Sequence, residues 1–223
     1  MIDDLAKIFL IFIIYSTMGW IMETITCYIT TRKFTNRGFL VGPYCPIYGF
    51  GVLLICFLLQ KYKNDPLILF IMSIIICSFL EYITSFLMEV IFKNRWWDYS
   101  NKKFNINGRI CLETMIPFGI IGTFVFYILN PAINKLVSFL PSYLSLIIAL
   151  VILILFIFDM TISFNVIIKF KNVSKSIKVD STDEITKKVK QILLNKSFIH
   201  RRLIKAFPHM KIKRKELEID SLK

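Results

Sequence analysis

The sequence predicts an all-α protein: a polytopic membrane helix bundle of about five spans, followed by a cytoplasmic basic amphipathic tail helix. Three observations predict it. The 223 residues are 56% hydrophobic, with a mean hydropathy of +0.63, more apolar than soluble domains run. The apolar residues gather into runs at roughly 5–29, 47–60, 67–92, 112–130 and 143–168. The charge is segregated: of a formal net +13, the stretch from Lys169 onward carries 16 Lys/Arg against 6 Asp/Glu. The expected organisation is a transmembrane domain, 1–170, and a basic tail, 171–223.

The first run is too long for the core of a signal peptide, and Asp3 and Asp4 stand where a basic leader would begin. Next comes FLVGPYCPIYGFG, 39–51, apolar yet broken by Gly42, Pro43, Pro46, Gly49 and Gly51. Broken backbone is tolerated at membrane depth only where protein buries it or water reaches it. Residues 38–51 therefore form either a non-helical or re-entrant lining, with freed amides able to meet an anion, or a tight turn into the second run. That run is short unless part of 39–51 also enters the membrane.

The third run ends at RWWDYSNKKFNINGRICLET, 95–114. Trp96, Trp97 and Tyr99 fit an interfacial belt. Asn107-Gly108 is a turn signal, Asp98 suits Arg95 or Arg109, and Arg109 reaches Glu113 at i+4. The fourth run holds Pro117, Gly119 and Gly122, which predict a kink.

The connecting segments alternate in charge. Arg32, Lys33 and Arg37 lie on one side, as do Lys93, Arg95, Lys102, Lys103, Arg109 and the tail. The positive-inside rule then puts the N-terminus out and the C-terminus in the cytoplasm. In the tail, Ser181 and Glu184 read as a capping box. Ile185, Val189, Ile192, Ile199, Leu203 and Ala206 recur at helical spacing. Such a helix either lies on the inner membrane face or packs on the cytoplasmic loops.

The acids inside the apolar runs carry the functional argument. Glu23 lies nine residues before Arg32, Glu81 twelve before Lys93 and Asp159 ten before Lys169. At 1.5 Å per residue these are depths of about 13, 18 and 15 Å. Each acid costs at least ~2.5–3.5 kcal/mol in hydrocarbon, so intramembrane acids mark substrate or ion pathways by default. Glu23, Glu81 and Asp159, with Glu89 and Glu113 nearer the inner interface, are the candidates for a substrate path. Arg95, Asp98, Asn107, Arg109, Tyr44 and Tyr48 are the candidates for an inner-face pocket, where guanidinium forks suit phosphate or carboxylate.

NRGFLVGPYCPIYGFG, followed by RWWDYS and FNINGRICLETMIPFG, closely resembles the putative ABC-transporter type IV permease family, small bacterial membrane proteins. The resemblance covers about residues 10–165 and leaves the tail outside. It implies a bacterial plasma-membrane protein and a transporter's membrane subunit, and it assigns no substrate or catalytic residue.

The resulting expectation is a permease subunit. The chain has no G-x-x-x-x-G-K-[ST] phosphate loop, so an ATPase subunit or a proton gradient must supply energy. Five short spans point to a homo-oligomer or heteromer. Cys27, Cys45, Cys56, Cys77 and Cys111 form no C-x-x-C pair, and the two histidines lie in the tail, so neither a metal nor another cofactor is expected. Positive-inside bias accounts for the basic charge without nucleic acid. The alternatives are a lipid-modifying enzyme using the inner-face acids and arginines, for which no nucleophile motif is present, and a non-catalytic sensor or assembly factor acting through the tail.

Overall fold

The computed structural model describes residues 2–92, 94–176, 198–207 and 211–212. Among these, four helical stretches are long and apolar enough to cross a membrane: Ile2–Thr31, Pro66–Phe92, Leu112–Ser138 and Ser142–Ile168. The first is α1 (Ile2–Thr31) and the second α3 (Pro66–Phe92). Asp65 starts α3, its carboxylate accepting from the Ile68 amide at 3.0 Å, with Pro66 in the first turn, where a missing N–H costs nothing.

The fourth apolar run becomes α4 (Leu112–Phe124), a π-helical turn (Val125–Leu129) and α5 (Asn130–Ser138). The interruption expected from Pro117, Gly119 and Gly122 thus comes later, at the π turn. The last run is α6 (Ser142–Ser176), whose apolar part ends near Ile168.

The second expected span is the exception. α2 (Pro46–Leu58) has 13 residues, about 20 Å, short of a hydrocarbon core of about 30 Å. Extended chain makes up the difference. After α1 the backbone turns back along the bundle until the Cys45 amide donates to the Ser16 carbonyl at 2.9 Å. Ser16 sits near the middle of α1. Residues 38–45, the re-entrant segment, thus fold back into the bundle as extended chain that α2 continues; the alternative of a tight turn fails, and residues 46–51, expected in the same non-helical lining, belong to α2.

α2 packs between α1 and α3, α4 lies against α3, and α6 lies against α1. Small residues let α1 and α2 approach closely: a side chain at Gly49 would collide with Ser16 and Phe12, and one at Gly19 with the Tyr48 ring. One apolar cluster holds the N-terminal end together through Leu10, Tyr15, Val125 and Ala149. A second, at the loop end, joins Phe92, Trp96 and Ile167 to Leu203 and Ile204. Only 17% to 33% of the most apolar windows of the four long stretches is buried within the protein. Exposed Phe57, Phe79, Ile154 and Phe158 complete a surface fit for lipid.

Between α3 and α4, β2 (Asn105–Ile106) and β3 (Ile110–Cys111) form a small antiparallel hairpin. Asn107 and Gly108 have φ of 52° and 65°, and the Arg109 amide closes the turn on the Ile106 carbonyl at 3.0 Å. Two successive positive φ values make the turn that Asn-Gly favours. β1 (Asn94–Arg95) pairs with β4 (Lys211–Ile212) from the tail.

The tail helix described is α7 (Phe198–Ala206). The expected capping box at Ser181 and Glu184, and Ile185, Val189 and Ile192, lie outside the described residues. Leu203, Ile204 and Ala206 are buried. This part of the tail packs on the loops of the protein.

Candidate functional site

Asp159 projects from α6 at the depth where the re-entrant chain arrives. Its Oδ1 accepts from the Val41 amide and the Ser163 hydroxyl, both at 3.0 Å. Its Oδ2 accepts from the Gly42 amide and the Tyr44 hydroxyl, both at 2.7 Å. The broken backbone freed its amides, and a buried carboxylate takes them up. Charge-assisted bonds of this kind are about twice as strong as neutral ones, so the acid and the broken chain satisfy each other.

Tyr44 and Tyr48 therefore divide. Tyr44 serves Asp159. Tyr48, in the first turn of α2, lies over Gly19, one helical turn before Glu23 on the same face of α1. From there its hydroxyl donates to Glu23 Oε1 at 2.6 Å. Arg37 Nε stands 3.8 Å from Glu23 Oε2.

Glu81, on α3, is 8% exposed. The Tyr99 hydroxyl donates to its Oε1 at 3.4 Å, and its Oε2 has no partner. Burial first, then the neighbouring Glu81 and Glu23, hold the Tyr99 phenol above its usual pKa. Glu23, Tyr48, Glu81 and Tyr99 thus form one polar group at the seam of α1, α2 and α3. The structure joins two of the three deep acids; the third, Asp159, is taken up by the loop.

Glu89 lies two turns further along α3, 3% exposed. Its Oε2 faces Arg109 at 2.9 Å and Arg95 at 3.1 Å. Arg95 also meets Asp98 at 3.5 Å. The Arg109 guanidinium covers the rings of Tyr82 and Phe86 and donates to Ser85 at 3.3 Å. Asn107 donates to the Tyr82 hydroxyl at 2.8 Å, bracing the hairpin on α3. Arg109 therefore turns to Glu89 and away from the expected Glu113. The Glu113 carboxylate is exposed and pairs with Lys102 at 2.8 Å, which raises the lysine pKa through that bond. Among the described residues, no group of three or more His, Cys, Asp or Glu is close enough to hold a metal ion.

The tail adds contacts that the sequence hides. Arg202 donates from Nη1 to the Gly38 and Leu40 carbonyls at 3.2 and 2.7 Å, and from Nη2 to the Phe39 carbonyl at 3.1 Å. Arg37 donates to the Ala206 carbonyl. Burial lowers the Arg202 pKa. Arg202 reads in the sequence as one of several surface cations, and only its place beside Leu203 hints at an inward role. Tyr99 reads as a belt residue, its hydroxyl being the one sign of a polar task.

A family model described as Putative ABC-transporter type IV matches residues 10–164. The chain belongs to the putative ABC-transporter type IV family. The stretch matched to that family holds Glu23, the re-entrant segment, Glu81, the Glu89 network and Asp159, and it leaves α7 outside. Its membrane-spanning helices and its family together make it a membrane protein of a transporter type. No curated protein and no solved structure matches the chain.

Proposed function

We propose that the chain is the permease subunit of an ABC-type transporter in a bacterial plasma membrane, working with a separate ATPase subunit and as part of an oligomer. The N-terminus then faces out, and the basic loops and tail face the cytoplasm, following the positive-inside rule. Residues 1–170 form the transport domain and 171–223 a cytoplasmic appendage. The observation that carries this reading is Glu81: a carboxylate deep in an apolar helix, one oxygen bare, beside a second acid at the edge of a re-entrant segment. Re-entrant backbone next to intramembrane acids is how transporters line a path.

The lipid-enzyme alternative is less well supported. The arginines it would use for a head group, Arg95 and Arg109, are already engaged by Glu89 and Asp98.

The test is to crosslink the tagged full chain in its native membrane, purify it and assay ATP hydrolysis. A co-purifying ATPase activity supports the reading. Its repeated absence from intact, crosslinked chain would overturn it.

A further inference from the structure

Glu81 has one long hydrogen bond and one bare oxygen, in a residue 8% exposed. Among the described residues it has no ion-pair partner. An ionised carboxylate left so gives up its solvation for one long hydrogen bond. One turn back on the same face of α3, the Ser78 hydroxyl is 4% exposed and also has no partner. Two polar groups on one face of α3, both shut from water and both short of a partner, leave hydrogen-bonding capacity that the fold itself does not use.

The surroundings decide its charge. Glu23 from α1, Tyr48 from α2, Cys77 from α3 itself and Tyr99 from the following loop all lie within electrostatic reach of Glu81. None of these is basic. The two cations close by are engaged elsewhere: Arg37 faces Glu23 at 3.8 Å and serves the Ala206 carbonyl, and Arg109, bonded to Ser85 one turn along α3, pairs with Glu89 at 2.9 Å. The Tyr48 and Tyr99 hydroxyls each donate to a carboxylate, which leaves both phenol oxygens with free lone pairs. Carboxylate and hydroxyl oxygens suit a small, hard cation. One uncompensated carboxylate balances one positive charge, whereas a divalent ion asks for more anionic ligands.

We infer that Glu81 binds a monovalent cation, a proton or an alkali-metal ion, at the seam of α1, α2 and α3. The site stands whether or not the chain is a permease, and its test does not involve transport.

A hydrophobic carbodiimide attacks buried carboxyl groups in their protonated form, and peptide mass spectrometry then locates the adduct. The full chain in detergent micelles is treated with it across a pH series, with sodium or potassium chloride present or replaced by a bulky organic salt. Glu81 should be modified ahead of Asp159, which lies in the bundle with its oxygens hydrogen-bonded. If the occupant is an alkali-metal ion, that ion at ten times its dissociation constant should slow modification about tenfold, since about one site in eleven stays empty. If it is a proton alone, modification should fall as pH rises and ignore the metal ion. Modification of Glu81 no faster than of Asp159 at any pH, even with the alkali-metal salt replaced, would overturn the inference. The Glu81→Gln chain, which should lose that adduct and no other, checks the assignment. If it does not fold, the wild-type rates still decide.

Discussion

Asp159 and Glu81 are acids buried to the same extent, each 8% exposed, in the interior of apolar helices. Asp159 accepts four hydrogen bonds at 2.7 to 3.0 Å, two of them from backbone amides of the re-entrant segment. Glu81 accepts one at 3.4 Å and keeps a bare oxygen. An acid inside a membrane helix is therefore not one kind of object. Where donors surround it, the charge fastens structure, here a broken chain that would otherwise carry unsatisfied amides. Where donors are missing, the desolvation cost stays open for a ligand to offset. The number of donors, more than the depth, separates an anchor from a site.

Four substitutions test that contrast by thermal or denaturant unfolding of the purified chain in micelles. Glu89→Gln should cost most, about 3–5 kcal/mol, because Arg109 stays buried, and Arg95 half-buried beside Asp98, without their shared anion. A small effect there would mean that burial of charge in this bundle is cheap, and the contrast would lose its basis. Asp159→Asn should cost about 2–3 kcal/mol, since the amide offers one acceptor oxygen where two served four donors. It should also raise hydrogen exchange at the Val41 and Gly42 amides.

Arg202→Ala should cost about 1.5–3 kcal/mol, the range for a hydrogen bond to a charged group. It should speed exchange in 38–42 while leaving carbodiimide modification of Glu81 unchanged. That result would separate the clamp on the loop from the site. Glu81→Gln should change stability least, by less than about 1 kcal/mol in either direction, because it removes a charge that nothing in the fold compensates. A loss equal to that of Asp159→Asn would erase the distinction between the two acids.

Much of this frame is legible in the residues. Apolar runs marked the ends of α1 and α3 and the start of α6 closely, because a membrane helix must satisfy its own backbone and so declares its length locally; α6 runs on to Ser176, eight residues past its apolar run. Asn107-Gly108 named its turn, since both positions need a positive φ. The broken stretch 39–51 announced that a plain span was impossible. The shortness of α2 was half visible, as Pro46 marks its start. What escaped was partnership. Arg109 has Glu113 four residues away and takes Glu89, twenty residues back, because the hairpin folds it onto α3. Arg202 sits in a basic stretch with no local sign that three carbonyls await it.

Taken alone, the sequence determined what lies along each helix: which runs form long apolar helices, where each acid sits in its run, and where the backbone must break. These follow from a fixed rise per residue and from the cost of bare polar groups in lipid. Tertiary packing decided what lies between helices. The rotation and contact of neighbouring helices brought the re-entrant amides to Asp159, set Tyr48 on Glu23, and left Glu81 with an oxygen that no donor reaches. Depth is counted along one chain, whereas a hydrogen-bond partner comes from another part of the fold.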